Sequence, residues 1–401
     1  MSWWLLVLGL IMFVGLVVVH EWGHFIMARR NGVDVEEFGI GFPPRLWKKR
    51  IKSPKGDFNF TINLLPLGGF VKLKGEHDSD TEKGTFGAAS VAAKTKIMAA
   101  GVVMNLITAF VLLTLLALIG MPRLIDNQFT VKSDTHVVRS ELIMSYVESD
   151  SPAAKAGIQP MDRLISIHPA DSSEKDSART GSSAGLKDPD YLRKVTKQFA
   201  GEQVKVTYER DGVRKTATTT IRTTAEVEAS KKTDNPKGYF GVIPTDFTIQ
   251  RSTWSAPVVG VGLIGQFTKL TFEGLGRALA GVGKIIAGTV TGNTTAREHG
   301  QAQASEQVSG PVGIFVILRD GSALGILFIL LVIAIISLTL AIMNILPIPA
   351  LDGGRLWMTL ITRAVNKPLS QEKEELINAG GFIFLMLLIV LITVVDVRRF
   401  F

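Results

Sequence analysis

Residues 3–28 read WWLLVLGLIMFVGLVVVHEWGHFIMA, with no ionisable side chain until His20 and then His20-Glu21-Trp22-Gly23-His24 before the apolar run ends. Residues four apart share one face of an α-helix, so His20 and His24 can aim ring nitrogens at one Zn²⁺ while Glu21 stands beside them as a general base. Each ionisable group at mid-bilayer costs about 2.5–3.5 kcal/mol on insertion scales, so three in one turn call for a function. The bland alternative is a pair of core histidines beside a snorkelling Glu21.

The 26 residues span about 39 Å as a helix, against a hydrocarbon core of about 30 Å. No Lys or Arg precedes them, whereas Arg29, Arg30, Arg45, Lys48, Lys49, Arg50, Lys52 and Lys55 follow. A cleavable signal peptide wants a basic start and a small-residue cleavage site. The pattern therefore predicts an uncleaved spanning helix with its N-terminus outside and His24 within about 10 Å of the cytoplasmic boundary.

Of the 401 residues 46% are hydrophobic and 20% charged, with a formal charge of +8 and a positive mean hydropathy. That mixture implies an integral membrane protein carrying at least one water-soluble module. With no cysteine, disulfides and thiolate metal sites are excluded, and a metal must use N and O ligands. The basic residues cluster beside apolar spans, which points to the lipid bilayer as partner and not to nucleic acid.

The expected architecture is an α-helical polytopic membrane protein of about four transmembrane helices, with a membrane-associated β-hairpin and an inserted extracytoplasmic α+β domain. The first part, residues 1–126, holds the histidine helix, a basic loop and a second span from Ile97 to Met121 ended by Pro122. In it, Phe58 to Leu64 and Phe70 to Leu73 read as strands around a turn at Pro66, Gly68 and Gly69. Such a hairpin is either structural or an edge that pairs with an extended substrate. Asn105, on the second span, is expected to face protein in an interhelical role.

Residues 127–245 turn polar, with strand-like segments at Leu142 to Val147, Arg163 to Ile167, Val204 to Tyr208 and Thr216 to Ile221. Asp171 to Asp188 reads as a flexible insertion. In 246–310, Gln266, Lys269, Glu273, Arg277 and Lys284 form one stripe of an amphipathic helix, and Thr294 to Ser309 reads as a polar loop. Residues 311–401 carry spans at Leu324 to Leu346 and Gly380 to Val397, which returns the C-terminus outside.

Catalytic zinc generally has three protein ligands and an open position. A soluble zincin with an extended motif would offer a third histidine six residues after His24, but Arg30 stands there. Asp352 is the better candidate, in Asn344-Ile345-Leu346-Pro347-Ile348-Pro349-Ala350-Leu351-Asp352-Gly353-Gly354. Two prolines break the third span there, and broken backbone at membrane depth survives only when buried in protein or beside a water cavity. The competing reading is an aspartate that merely caps the next helix.

The His20 to His24 helix, the Asn344 to Gly354 segment and Leu65-Pro66-Leu67-Gly68-Gly69-Phe70 together resemble the site-2 protease family of intramembrane zinc metalloproteases, of the bacterial regulator-of-sigma-E type. The resemblance implies His20, His24 and Asp352 as zinc ligands, Glu21 as general base, and Asn344 as a group contacting substrate or supporting the oxyanion. Gly68, Gly69 and Phe70 would bind substrate. It further implies a bacterial inner-membrane enzyme that cuts transmembrane segments of single-span proteins already shortened by an upstream site-1 type protease, such as anti-sigma factors or signal-peptide remnants.

Glu148 to Ile167 resembles the core of one bacterial PDZ domain, with Ser151-Pro152-Ala153 and Ala156-Gly157, although Met161 stands where a glycine usually precedes Asp162. Such a domain implies either peptide binding or exclusion of bulky ectodomains. Two other classes remain open on the residues alone: a non-catalytic PDZ-bearing scaffold, and an ion transporter, which would show inverted repeats and several paired broken helices.

Overall fold

The computed structural model describes residues 3–54, 56–76, 80–170, 188–210, 212–233, 236–307, 310–365 and 370–400, so the expected insertion at 171–188 lies, all but its last residue, outside the described residues. In chain order the elements are α1 (Trp3–Arg30), β1 (Val35–Ile51), β2 (Phe58–Leu73), α2 (Val91–Ile119), β3 (Met121–Pro122), β4 (His136–Val147), α3 (Pro152–Lys155) and β5 (Arg163–Pro169). Then come α4 (Pro189–Gln198), β6 (Gln203–Arg210), β7 (Val213–Thr220), α5 (Thr224–Ser230) and β8 (Val242–Arg251). The chain closes with α6 (Ala256–Thr291), α7 (Thr294–Gln307), α8 (Pro311–Gly321), α9 (Ile326–Ile345), α10 (Asp352–Ala364) and α11 (Gln371–Phe400).

Two units divide the chain: one holds Leu116–Ala256 with Asp320–Phe328, the other Trp3–Leu115, Pro257–Arg319 and Ile329–Phe401. Helices α1, α2, α9 and most of α11 are long and apolar enough to cross a membrane. Small residues let these helices close up: a Cβ on Gly23 of α1 would lie 2.6 Å from the Ala100 carbonyl oxygen of α2. Phe25, Ala28, Val35, Phe38, Leu73, Ile97, Met98 and Leu356 form one core that joins α1, both strands, α2 and α10.

Two expectations need correcting here. The arms 58–64 and 70–73 were expected to pair with each other across the glycine turn, but Val35 to Ile40 lies between them. Val35 pairs with Leu73 and Ile40 with Gly69, while Glu37 to Ile40 also pair with Asn59 to Ile62 and Arg45 to Ile51 pair with Asn63 to Phe58. The adjacent acids Glu36 and Glu37 hid this strand. Both are neutralised, by Lys72 and Arg45 respectively, while Val35 and Phe38 turn inward.

The second correction concerns Thr294 to Ser309, expected as a polar loop. Its first fourteen residues are helix α7, capped by Asn293, whose side-chain oxygen accepts from Ala296 N–H. Gly281 and Gly300 remove the side chains that would hold α6 and α7 apart, since a Cβ on Gly281 would fall 2.8 Å from the Gly300 oxygen. Nearby, α8 begins against α11: buried Asp396 accepts from the amides of Gly310 (2.9 Å) and Gly313 (2.8 Å).

The other unit is a six-stranded antiparallel sheet in the order β3-β8-β4-β5-β6-β7, covered by short helices. Strands β4 to β7 fall on the four segments expected to be extended. Leu142, Met144, Ile158, Leu164, Ile167, Leu192, Val204 and Val206 form its core. Met161 adopts φ +71°, a conformation in which glycine is the default, and the following Asp162 is buried against Arg210.

Candidate metal centre

The site begins on the last turns of α1. His20 and His24 are buried, 7% and 8% exposed, on the helix face turned to α2. Their Nε2 atoms stand 3.2 Å apart. The Asp352 Oδ2 lies 2.9 Å from His20 Nε2 and 3.1 Å from His24 Nε2, although 332 residues separate Asp352 from His20. Among the described residues these three form the one cluster of His, Asp or Glu that could hold a metal ion.

The backbone break delivers the carboxylate. Helix α9 stops at Ile345, Ala350 takes φ +71°, and α10 starts at Asp352. Leu351 occupies the cap position and Asp352 is the first helical residue, with its carboxylate on the histidines, so the capping alternative does not describe this side chain. The two glycines that follow are required by close approach: a Cβ on Gly354 would overlap the Ile348 carbonyl oxygen, and one on Gly353 the Leu346 oxygen.

Neighbouring groups orient the rings. His24 Nδ1 lies 2.7 Å from the Ile97 carbonyl oxygen, which can only accept, so Nδ1 carries the proton and Nε2 keeps its lone pair. His20 Nδ1 faces the fully buried Asn105 side chain at 3.3 Å. Asn105 faces protein, as its place on the span predicts, but its side chain meets His20 instead of tying two helices together. That tie is made by its backbone, whose oxygen accepts from Ser337 Oγ at 2.8 Å. Gly101, one turn before Asn105, is the second residue missed: a Cβ there would sit 2.6 Å from His20 Nε2. The four-residue spacing of Gly101 and Asn105 was the available signal.

The donor set suits zinc. A tetrahedral ion with bonds of about 2.0–2.1 Å separates its ligand atoms by about 3.3 Å, close to the separations here. Two imidazoles and one carboxylate leave a fourth position for water or substrate, as catalytic sites do and closed structural sites do not. Glu21, half-buried and adjacent in sequence to His20, approaches the β arms: a Cβ on Gly69 would lie 3.4 Å from Glu21 Cγ.

Of the expected substrate-binding residues, Gly68 and Gly69 are buried, and Gly68 takes φ +133° beside the Phe42 ring. The Phe70 ring packs over Gly39, where it leaves no room for a Cβ. Asn344 is half-buried on the last turn of α9 and makes no side-chain hydrogen bond among the described residues.

Comparison with known proteins reaches nearly the whole chain. The family model for peptidase family M50 matches residues 8–388. A protein of Clostridium acetobutylicum, provisionally named a zinc metalloprotease, is 29% identical over 397 residues, which cover 99% of this chain and 98% of that one. The regulator of sigma-W protease RasP of Bacillus subtilis is 26% identical over 474 aligned positions, with 98% of each chain covered. The regulator of sigma-E protease RseP of Salmonella typhimurium is 27% identical over 451, with 96% of each covered.

Proposed function

The chain belongs to peptidase family M50 and is a membrane zinc metalloprotease, and from that premise we propose that it cuts transmembrane segments of single-span proteins with Zn²⁺ held by His20, His24 and Asp352. The observation that carries this reading is the meeting of one carboxylate and two imidazoles, from opposite ends of the chain, beside Glu21. Bound there, zinc supplies Lewis acidity that polarises a carbonyl oxygen and makes an attacking water more acidic.

Glu21 takes the proton from that water and hands it to the departing amide nitrogen. A transmembrane helix hides its own amides, so the substrate unwinds locally and is held extended along Gly68, Gly69 and Phe70, as an added strand. A Cβ on Gly69 would lie 3.4 Å from Glu21 Cγ, so the lack of a side chain there keeps this backbone close to the base. Asn344, at the end of α9, donates its side-chain amide to the developing oxyanion.

The relatives named as sigma-W and sigma-E regulators support anti-sigma factors, or signal-peptide remnants, as substrates already shortened by a site-1 type protease. The basic residues after α1 support a site near the cytoplasmic face of a bacterial inner membrane, with both termini and the six-stranded unit outside. That unit, read as PDZ-like, screens substrates by the size of their ectodomains.

The test uses a reconstituted single-span substrate. Glu21→Gln keeps zinc and stops cleavage, whereas His20→Ala loses the metal. Hydrolysis retained by Glu21→Gln defeats the proposed base, and full zinc in His20→Ala defeats the ligand assignment.

A further inference from the structure

His24 owes its orientation to a main-chain carbonyl, but His20 has no such partner. Its Nδ1 faces the Asn105 carboxamide at 3.3 Å, with the Asn105 nitrogen toward the ring and the Asn105 Oδ1 buried without a partner among the described residues. In that arrangement the amide donates, so the imidazole proton sits on Nε2 and points at Asp352 Oδ2 and His24 Nε2. A histidine in that tautomer offers no lone pair where the metal belongs. The ends of an amide are isosteric, and turning the group about its last torsion brings Oδ1 to His20 Nδ1 while the amino group takes the place of the oxygen.

We propose that Asn105 is a positioning residue for the hydrolytic reaction: its side-chain oxygen accepts from His20 Nδ1–H and thereby reserves His20 Nε2 for zinc. Three features of the site serve this role. Asn105 is fully buried, so water does not compete for the ring proton. Its backbone is tied to α9 by the hydroxyl of Ser337, itself fully buried, which holds the carboxamide in place. Gly101, one turn away on the same face, clears the space in which the two imidazoles meet. A metal-bound histidine almost always donates its other N–H to an acceptor, and loss of that acceptor typically weakens metal binding about 10–100-fold.

The inference rests on His20 being a zinc ligand, and the experiment separates the two claims. Zinc affinity is measured on purified full-length protein by competition with a chelator, for wild type, Asn105→Asp, Asn105→Leu and His20→Ala. Aspartate is acceptor-only and close in shape to asparagine, so Asn105→Asp keeps affinity within about threefold of wild type, while Asn105→Leu loses about 10–100-fold. In metal-free protein, ¹⁵N spectra of His20 show the proton on Nδ1 in wild type and Asn105→Asp, a readout that packing alone does not move. If Asn105→Asp falls as far as Asn105→Leu while His20→Ala still abolishes binding, the amide acts as donor or spacer and the inference is wrong. Wild-type affinity in Asn105→Leu overturns it equally. Full affinity in His20→Ala overturns the ligand assignment instead.

Discussion

Gly101→Ala separates the metal site from the fold. The added Cβ falls 2.5 Å from His20 Cε1 and 2.6 Å from His20 Nε2, and it overlaps His24 Nε2. Ordinary contact begins near 3.4 Å, so the rings or α2 must retreat by about 0.9 Å in a close-packed interior. Metal–ligand distances tolerate about 0.2 Å, so this displacement forfeits the site. Zinc content of the purified variant falls well below one per chain, and cleavage of a reconstituted substrate drops by about 100-fold or more. The fold suffers far less. Overpacking costs about 1–3 kcal/mol, and replacing a helical glycine returns up to about 1 kcal/mol. Thermal unfolding in detergent should therefore show a folded protein within about 3 kcal/mol of metal-free wild type. Full zinc and near wild-type cleavage in Gly101→Ala would refute the proposed role of these rings.

Gly353→Ala presses a side chain onto the backbone of Ile345 and Leu346, which cannot yield as a side-chain tip would. The start of α10 must then move and carry Asp352 with it, so zinc retention drops; a variant holding zinc at wild-type affinity contradicts this. In the six-stranded unit, Asp134 accepts from main-chain and hydroxyl groups of Thr253 and Ser255. Desolvation alone would raise its pKa, but these bonds outweigh it and hold the carboxyl below the ordinary range. A folded-state pKa below the unfolded value of about 3.9 gives stability that is complete above about pH 4 and lost as pH falls toward the folded value. The unfolding-temperature gap between wild type and Asp134→Asn is thus constant from pH 7 to about 5 and closes below about 4; a gap that widens on acidification runs against it.

The spanning helices and the candidate metal residues were legible because lipid imposes a strict rule. Long apolar runs announce helices, and ionisable groups inside them stand out, as His20, Glu21 and His24 do. Asp352 was legible through the prolines that break α9. Strand β1 was not, because Glu36 and Glu37 mask its inward face, and their neutralisation by Lys72 and Arg45 is a tertiary fact. Helix α7 was missed because its surface is polar and its contact with α6 runs through Gly281 and Gly300, which carry no hydropathy signal. The groups that orient the rings were hardest to find. Ile97 acts through its backbone oxygen, Gly101 through the absence of a side chain, and Asn105 through one hydrogen bond.

The central claim is that His20, His24 and Asp352 grip a single zinc ion. It is tested most directly by zinc stoichiometry of purified Asp352→Ala beside wild type and Glu21→Gln, each prepared without added metal. The account predicts one zinc per chain in wild type and Glu21→Gln and a large loss in Asp352→Ala. One zinc per chain in Asp352→Ala, at wild-type resistance to chelator, would contradict it.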